Sequence, residues 1–177
     1  MDTTTKMATY PRHGHLVTAF FPNVVDLFKR KELYHLQEEQ ILVFRGKKYS
    51  GEETLVDVDN LENKEVFITD VIDTLDFIQP DFLFFKKNKF LQSHNTLKTA
   101  GTPDLVVEVW SANNEQAERE MKYRVYSSSD KTEHWYLEQD SNIVQCFVGK
   151  EELRPQSLKE VLFTLDKIQF DLRHLAV

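Results

Sequence analysis

A single cysteine, Cys146, occurs in the 177 residues, so no internal disulfide and no cysteine-built zinc cage can form, and the chain suits a reducing compartment. Glycine and proline are sparse at five each, too few to mark an interdomain linker, a fibrous repeat or a low-complexity segment. No stretch approaches the roughly 18 consecutive apolar residues of a membrane span, and the N-terminus lacks a signal-peptide core followed by a small-residue cleavage site. A cytoplasmic protein is therefore expected. Neither a Gly-rich phosphate loop, nor a nucleophile elbow, nor a zinc-ligand spacing occurs, which sets aside nucleotide-loop, serine-hydrolase and zinc-finger chemistry. Net positive charge is lacking too. At -7 the chain has no overall excess of the Lys and Arg that draw proteins onto phosphate backbones.

The charge is unevenly spread. Between Gly51 and Asp76 nine acidic residues face one lysine, Lys64, which leaves the rest of the chain at +1. Basic clusters flank that segment, at Lys29, Arg30, Lys31, Arg45, Lys47 and Lys48, and at Lys86, Lys87, Lys89 and Lys98. Each is either a solvated face or a track for phosphates. With 41% hydrophobic and 29% charged residues the composition is that of a folded protein. A chain of this size buries roughly 70% of the surface it would expose unfolded, enough for a sheet with covering helices. One domain over residues 13–177 is expected, behind a flexible segment at residues 1–12.

From His15 to Arg30 the apolar residues Leu16, Phe20, Val24 and Leu27 recur at three- and four-residue steps, the pattern of an amphipathic helix that Pro22 either kinks or starts. β-prone runs follow at Ile41 to Phe44, Thr54 to Val58, Val66 to Ile72, Phe82 to Phe85, Leu105 to Trp110, His134 to Leu137 and Ile143 to Val148. A helix interrupts them from Asn114 to Ser127, where Ala117, Met121, Val125 and Tyr126 share a face. The stretch from Leu158 to Leu175 is ambiguous between helix and strand. The class predicted is α/β (α+β): a central mixed β-sheet flanked by helices.

Glu108 stands out because it interrupts Leu105-Val106-Val107-Glu108-Val109-Trp110, otherwise a strand buried on both faces. A carboxylate there must be paired with a cation, bonded to donors or open to a cleft. It is a functional group or one half of a salt bridge. Strand alternation puts Asp104, Val106, Glu108 and Trp110 on one face, and Asp104, following Gly101 and Pro103, suits a turn. A second Pro-Asp pair, Pro80-Asp81, leads into Phe82-Leu83-Phe84-Phe85, so Asp81 is a turn residue or a ligand. If the two strands are neighbours, Asp81 and Glu108 can share a divalent ion, since Mg²⁺ commonly takes one or two carboxylates and completes its shell with water and phosphate oxygens. Lys122 either forms an exposed i, i+4 pair with Glu118 or serves a nearby metal site, orienting water and offsetting charge on a phosphate. His13 and His15 suit surface residues better than ligands. Trp110, Trp135 and the 13 Phe residues suit a core.

The ordered set Pro80-Asp81, then Gly101-Thr102-Pro103-Asp104-Leu105-Val106-Val107-Glu108-Val109, then Lys122 with Tyr126 four residues on, then Glu133-His134-Trp135, resembles the restriction-endonuclease-like family of the PD-(D/E)XK superfamily, abundant in cyanobacteria. The resemblance runs from about Arg12 to the C-terminus and is strongest between Gln79 and Glu138. It implies that Asp81 is the PD aspartate and Glu108 the acid of the (D/E)XK strand, both metal ligands. In the standard motif a lysine stands two residues after that acid, where this chain has Trp110; the family it resembles supplies the lysine from the following helix, which implies Lys122 as the third catalytic residue. Departures from the pattern are Ser111-Ala112 for Ser-Pro, Glu118 for an aspartate, Asp130 for a glycine, and Asp2 as the only acid before the first helix. The implied activity is Mg²⁺- or Mn²⁺-dependent hydrolysis of nucleic acid, DNA by preference, with a homodimer left open. The competing expectation is a catalytically silent binding or scaffold module on the same fold.

Overall fold

The computed structural model describes residues 34–37, 41–86, 89–138, 140–157, 161–163 and 168–170, with 34–37, 161–163 and 168–170 as backbone only. The segment 1–12, the helix expected from His15 to Arg30, Asp2, His13, His15, Lys29, Arg30, Lys31 and Lys87 lie outside the described residues.

The larger sheet runs in the order β1 (Tyr34–Gln37), β5 (Phe82–Lys86), β8 (Leu105–Trp110), β9 (Glu133–Glu138), β10 (Ile143–Val148), β11 (Glu151–Glu152), with β12 (Gln156–Ser157) also on β10. It is mixed, since β5 and β8 are antiparallel and β8 and β9 parallel. The parallel pair needs a crossover, and the helix α2 (Gln116–Ser127) supplies it. The smaller sheet runs β3 (Thr54–Leu55), β2 (Ile41–Arg45), β7 (Lys98–Gly101), β6 (Phe90–Gln92), with β4 (Asp76–Ile78) on β2. Within the ambiguous stretch from Leu158, β13 (Val161–Phe163) and β14 (Ile168–Phe170) pair as antiparallel strands.

One core joins both sheets to α2. Leu42, Phe44, Leu55 and Ile78 of the smaller sheet meet Leu83, Phe85, Val106 and Tyr136 of the larger, together with Met121, Val125 and Tyr126 of the helix. A second core lies on the other side of the smaller sheet, where Val43, Val56 and Ala100 pack on Phe67 and Ile72. α2 is held in place at its C-terminal end by Arg124, which donates to both carboxylate oxygens of Glu53 at 3.0 and 3.2 Å. The Ser128 hydroxyl adds a bond from the Leu55 amide at 2.9 Å. Those Arg124 bonds hold the Glu53 carboxyl down at about 2.

The run Val66 to Ile72, expected as a strand, is helical. Here α1 (64–74) starts at Lys64–Val66, widens into a π turn at Phe67–Val71 and tightens at Ile72–Thr74. Asn63 caps it by accepting from the Val66 amide, and its buried residues, Phe67 and Ile72, are five apart, which suits the π turn and not strand alternation. Thr54 to Val58 is a strand only at Thr54–Leu55, because Asp57 caps a 3₁₀ turn at Val58–Asn60. Strands β1, β4, β6 and β7 carried no β-prone run, being short and interrupted by charged or small residues.

Gly101 closes β7 at φ +150°, where an added Cβ would meet the Lys89 carbonyl oxygen at 2.8 Å and Phe85 at 3.1 Å. Gly101→Ala should cost about 1–3 kcal/mol in chemical denaturation. An unchanged midpoint would mean that β6 and β7 separate more easily than their packing indicates.

Candidate functional site

Phe82 pairs with Val107 across the β5–β8 ladder, so one further step sets Asp81 opposite Glu108. Alternation then puts Asp81, Leu83 and Phe85 on the same face as Val106, Glu108 and Trp110, the face on which α2 lies. Lys122 and Tyr126, one helical turn apart on α2, both point down to it.

The side chains converge. Lys122 Nζ lies 3.0 Å from Glu108 Oε1 and donates to the Gln79 carbonyl at 3.2 Å, with Glu118 at 3.7 Å. The Tyr126 hydroxyl donates to the same Glu108 oxygen at 2.6 Å. Asp81 accepts from the Val109 amide at 2.7 Å, and its charge acts on the Glu108 carboxyl. Both partners of the main pair are buried, Glu108 being 1% and Lys122 7% exposed. Lys122 is therefore not the exposed helix-surface pair that its spacing from Glu118 allowed. The ion pair with Glu118 exists, but as the outer contact of a buried ammonium.

Burial pushes the Glu108 carboxyl up to about 7; the Lys122 charge opposes the rise and the Asp81 charge adds to it. Burial also raises Asp81, with the Val109 amide and Lys122 pulling it back. For Lys122 burial acts downward, yet Glu108, Asp81 and Glu118 outweigh it and hold the ammonium above its ordinary value. Two carboxyls that repel each other out of water, one retaining its proton near neutrality, form a site whose free energy falls when a further cation enters. The donor set is hard oxygen, which fits Mg²⁺ or Mn²⁺. Among the described residues no third His, Cys, Asp or Glu joins them as a ligand group.

Other groups are placed elsewhere. Asp104 lies at the opposite end of β8 and accepts from the Lys86 amide at 2.7 Å, a turn role. Lys86, of the second basic cluster, stands five residues along β5 from Asp81, roughly 16 Å away by strand rise, with Asp104 as its ion partner. In the sequence Tyr126 belongs to the family pattern and to an apolar helix face, and a tyrosine on a buried face needs a partner for its hydroxyl. His134 and Tyr136 form a second buried pair behind Glu108. His134 Nε2 donates to the Gly149 carbonyl at 2.8 Å, so Nδ1 accepts from the Tyr136 hydroxyl at 2.6 Å. Burial pushes the imidazole down to about 4, which keeps it neutral and fixes this tautomer.

Residues 63–170, more than half of the chain, match the family model Uma2, described as "Putative restriction endonuclease". The crystal structure of a protein described as "a putative nuclease belonging to DUF820", from Anabaena variabilis ATCC 29413, superposes with a TM-score of 0.62 at 12% identity, covering 93% of this chain and 79% of that one. At that identity the likeness is one of fold. Among curated proteins none matches.

Proposed function

Since the chain belongs to the Uma2 family of restriction-endonuclease-like proteins, we propose that it is a metal-dependent endonuclease that hydrolyses nucleic-acid phosphodiester bonds, DNA by preference. The observation that carries the reading is the meeting of Asp81, Glu108 and Lys122 from two strands and a helix, with the ammonium 3.0 Å from the buried carboxylate. Asp81 and Glu108 hold the ion. When bound, Mg²⁺ or Mn²⁺ supplies positive charge at the phosphate and lowers the pKa of a coordinated water. Lys122 donates hydrogen bonds to the attacking water or to the phosphate oxygens as their charge grows. Tyr126 restrains Glu108, so that the carboxylate keeps its aim when Lys122 turns to substrate.

The single buried thiol, with its pKa pushed up to about 12 by burial, suits the reducing cytoplasm proposed for the protein. Among the described residues no helix is long and apolar enough to cross a membrane. A silent scaffold on this fold is the second reading, favoured by the way Lys122 already neutralises part of the carboxylate charge. Titration with metal separates the two, because a scaffold would have no need to bind it.

Occupancy by metal should depend on pH with a definite sign. Glu108, raised in the folded state, contributes stability while protonated and loses it as pH rises from its unfolded value near 4.5 through about 7. Mg²⁺ must displace that proton, so the rise in melting temperature on adding Mg²⁺ should be small at about pH 5.5 and large at about pH 8.5. Scanning calorimetry at both values checks this. An equal shift at both would remove Glu108 from the ligand set.

A further inference from the structure

We propose that the groove between α2 and strands β9 and β10 receives one unpaired nucleobase of the substrate, next to the phosphate being cut. The inference rests on the nuclease reading and adds to it a substrate class: nucleic acid with an unpaired nucleotide at the site. The groove has a volume of about 430 Å³, and its aromatic lining is Trp110, Tyr123, Tyr136 and Phe147.

Its position follows from strand geometry. Trp110 is two residues beyond Glu108 on the same face of β8, roughly 7 Å along the strand. Lys122 Nζ lies 5.4 Å from the Trp110 ring centroid, and Arg119 lies over the same ring at 5.3 Å. Trp110 therefore belongs to both the carboxylate site and the groove, so a strand whose phosphate lies at Asp81 and Glu108 has its next nucleotide at the groove.

Its chemistry favours a flat, uncharged ring. Trp110 and Tyr136, both buried, stack on each other 13° apart at 5.7 Å and form the back of the groove. Phe147 meets Tyr136 and Tyr123 edge-on. The Arg119 guanidinium is held in plane by Glu138 at 2.5 Å and by the Ser111 carbonyl at 2.7 Å. Bases stack on aromatic and guanidinium planes of this kind. Both arginines of the lining already have carboxylate partners, Arg119 with Glu138 and Arg124 with Glu53, so a phosphate finds no uncompensated cation there. Gln145, exposed on β10, offers an amide to the edge of the base. Drawing a base out of a duplex costs a few kcal/mol, so single strands, bubbles and flaps are the preferred substrates.

The experiment uses the whole protein with Ca²⁺, which permits binding without turnover, and an oligonucleotide carrying 2-aminopurine, whose fluorescence is quenched by stacking. The single-stranded and bubble probes should be quenched and the matched duplex much less. Tyr123→Leu keeps the apolar contact but removes the aromatic face, and should weaken binding of the single strand roughly tenfold, equivalent to ~1.4 kcal/mol, and raise KM more than it lowers kcat, while Tyr123→Phe restores both. No quenching with wild type, or equal quenching of duplex and single strand, overturns the pocket, as does a folded Tyr123→Leu that binds like wild type. Those failures leave cleavage itself standing. Quenching in a protein that cuts nothing with Mg²⁺ or Mn²⁺ would support the pocket and remove the nuclease reading instead.

Discussion

Glu108→Gln should abolish cleavage, a loss of at least about a thousandfold, while the metal-free protein melts at the wild-type temperature or above it. The two halves of this result have one cause. Glutamine keeps the shape of the side chain, so Tyr126 and Lys122 can still donate to its amide oxygen where they now donate to Oε1. Its amide nitrogen then faces Asp81 and donates where the wild-type carboxyl repels, which removes the like-charge term that raises both groups. The same change takes away one of two anionic ligands, and metal affinity drops with it. Plasmid cleavage in Mg²⁺ and Mn²⁺, with calorimetric titration and thermal melts, gives all three readouts. If Glu108→Gln unfolds, Glu108 is a structural ion-pair partner; if it retains wild-type cleavage, the activity belongs to a contaminant and the enzyme reading would fail.

Lys122→Ala should have the opposite stability signature. Its ammonium is the cation bonded to Glu108 and is charge-coupled to Asp81. Removing one partner of a buried pair costs about 3–5 kcal/mol, so the metal-free variant should melt well below wild type at about pH 8. The deficit should shrink below about pH 6, where Glu108 takes up a proton. Mg²⁺ should recover much of the loss, because the ion replaces the missing positive charge, and metal affinity should hold or rise. Cleavage should nevertheless fall by orders of magnitude, since the water and phosphate lose their hydrogen-bond donor. Melting curves with and without Mg²⁺, alongside single-turnover cleavage, test this. A metal-free Lys122→Ala protein as stable as wild type would show that Lys122 does not balance the carboxylates.

The two predictions separate charge balance from chemistry. In wild type the lysine and the proton on Glu108 share the task of offsetting two carboxyls held out of water. Each substitution upsets that balance in a different direction. A site that only stabilised the fold would show the stability changes without the loss of cleavage.

What the amino-acid order determined by itself is which groups are candidates for the site. A carboxylate within Leu105–Trp110 is legible because burying it is costly, and Asp81 is legible because a Pro-Asp pair opens another apolar run. The mixed sheet with a crossover helix follows from strand runs broken by one helical segment. Where alternation was overridden, local bonding prevailed: Asn63 caps the α1 segment, and a π turn aligns Phe67 with Ile72. Tertiary structure alone decided the rest. The β5–β8 register brings Asp81 and Glu108 together although 27 positions separate them, and the seat of α2 buries Lys122. A lysine with a glutamate four residues before it reads the same on an exposed face and on a buried one. Only the packing of the helix against β8 sets which oxygen the ammonium meets, because that distance depends on long-range contacts that no local pattern encodes. The groove beside Trp110 is of the same kind: its aromatic residues come from β8, α2, β9 and β10, and in the sequence Trp110 and Phe147 read as core.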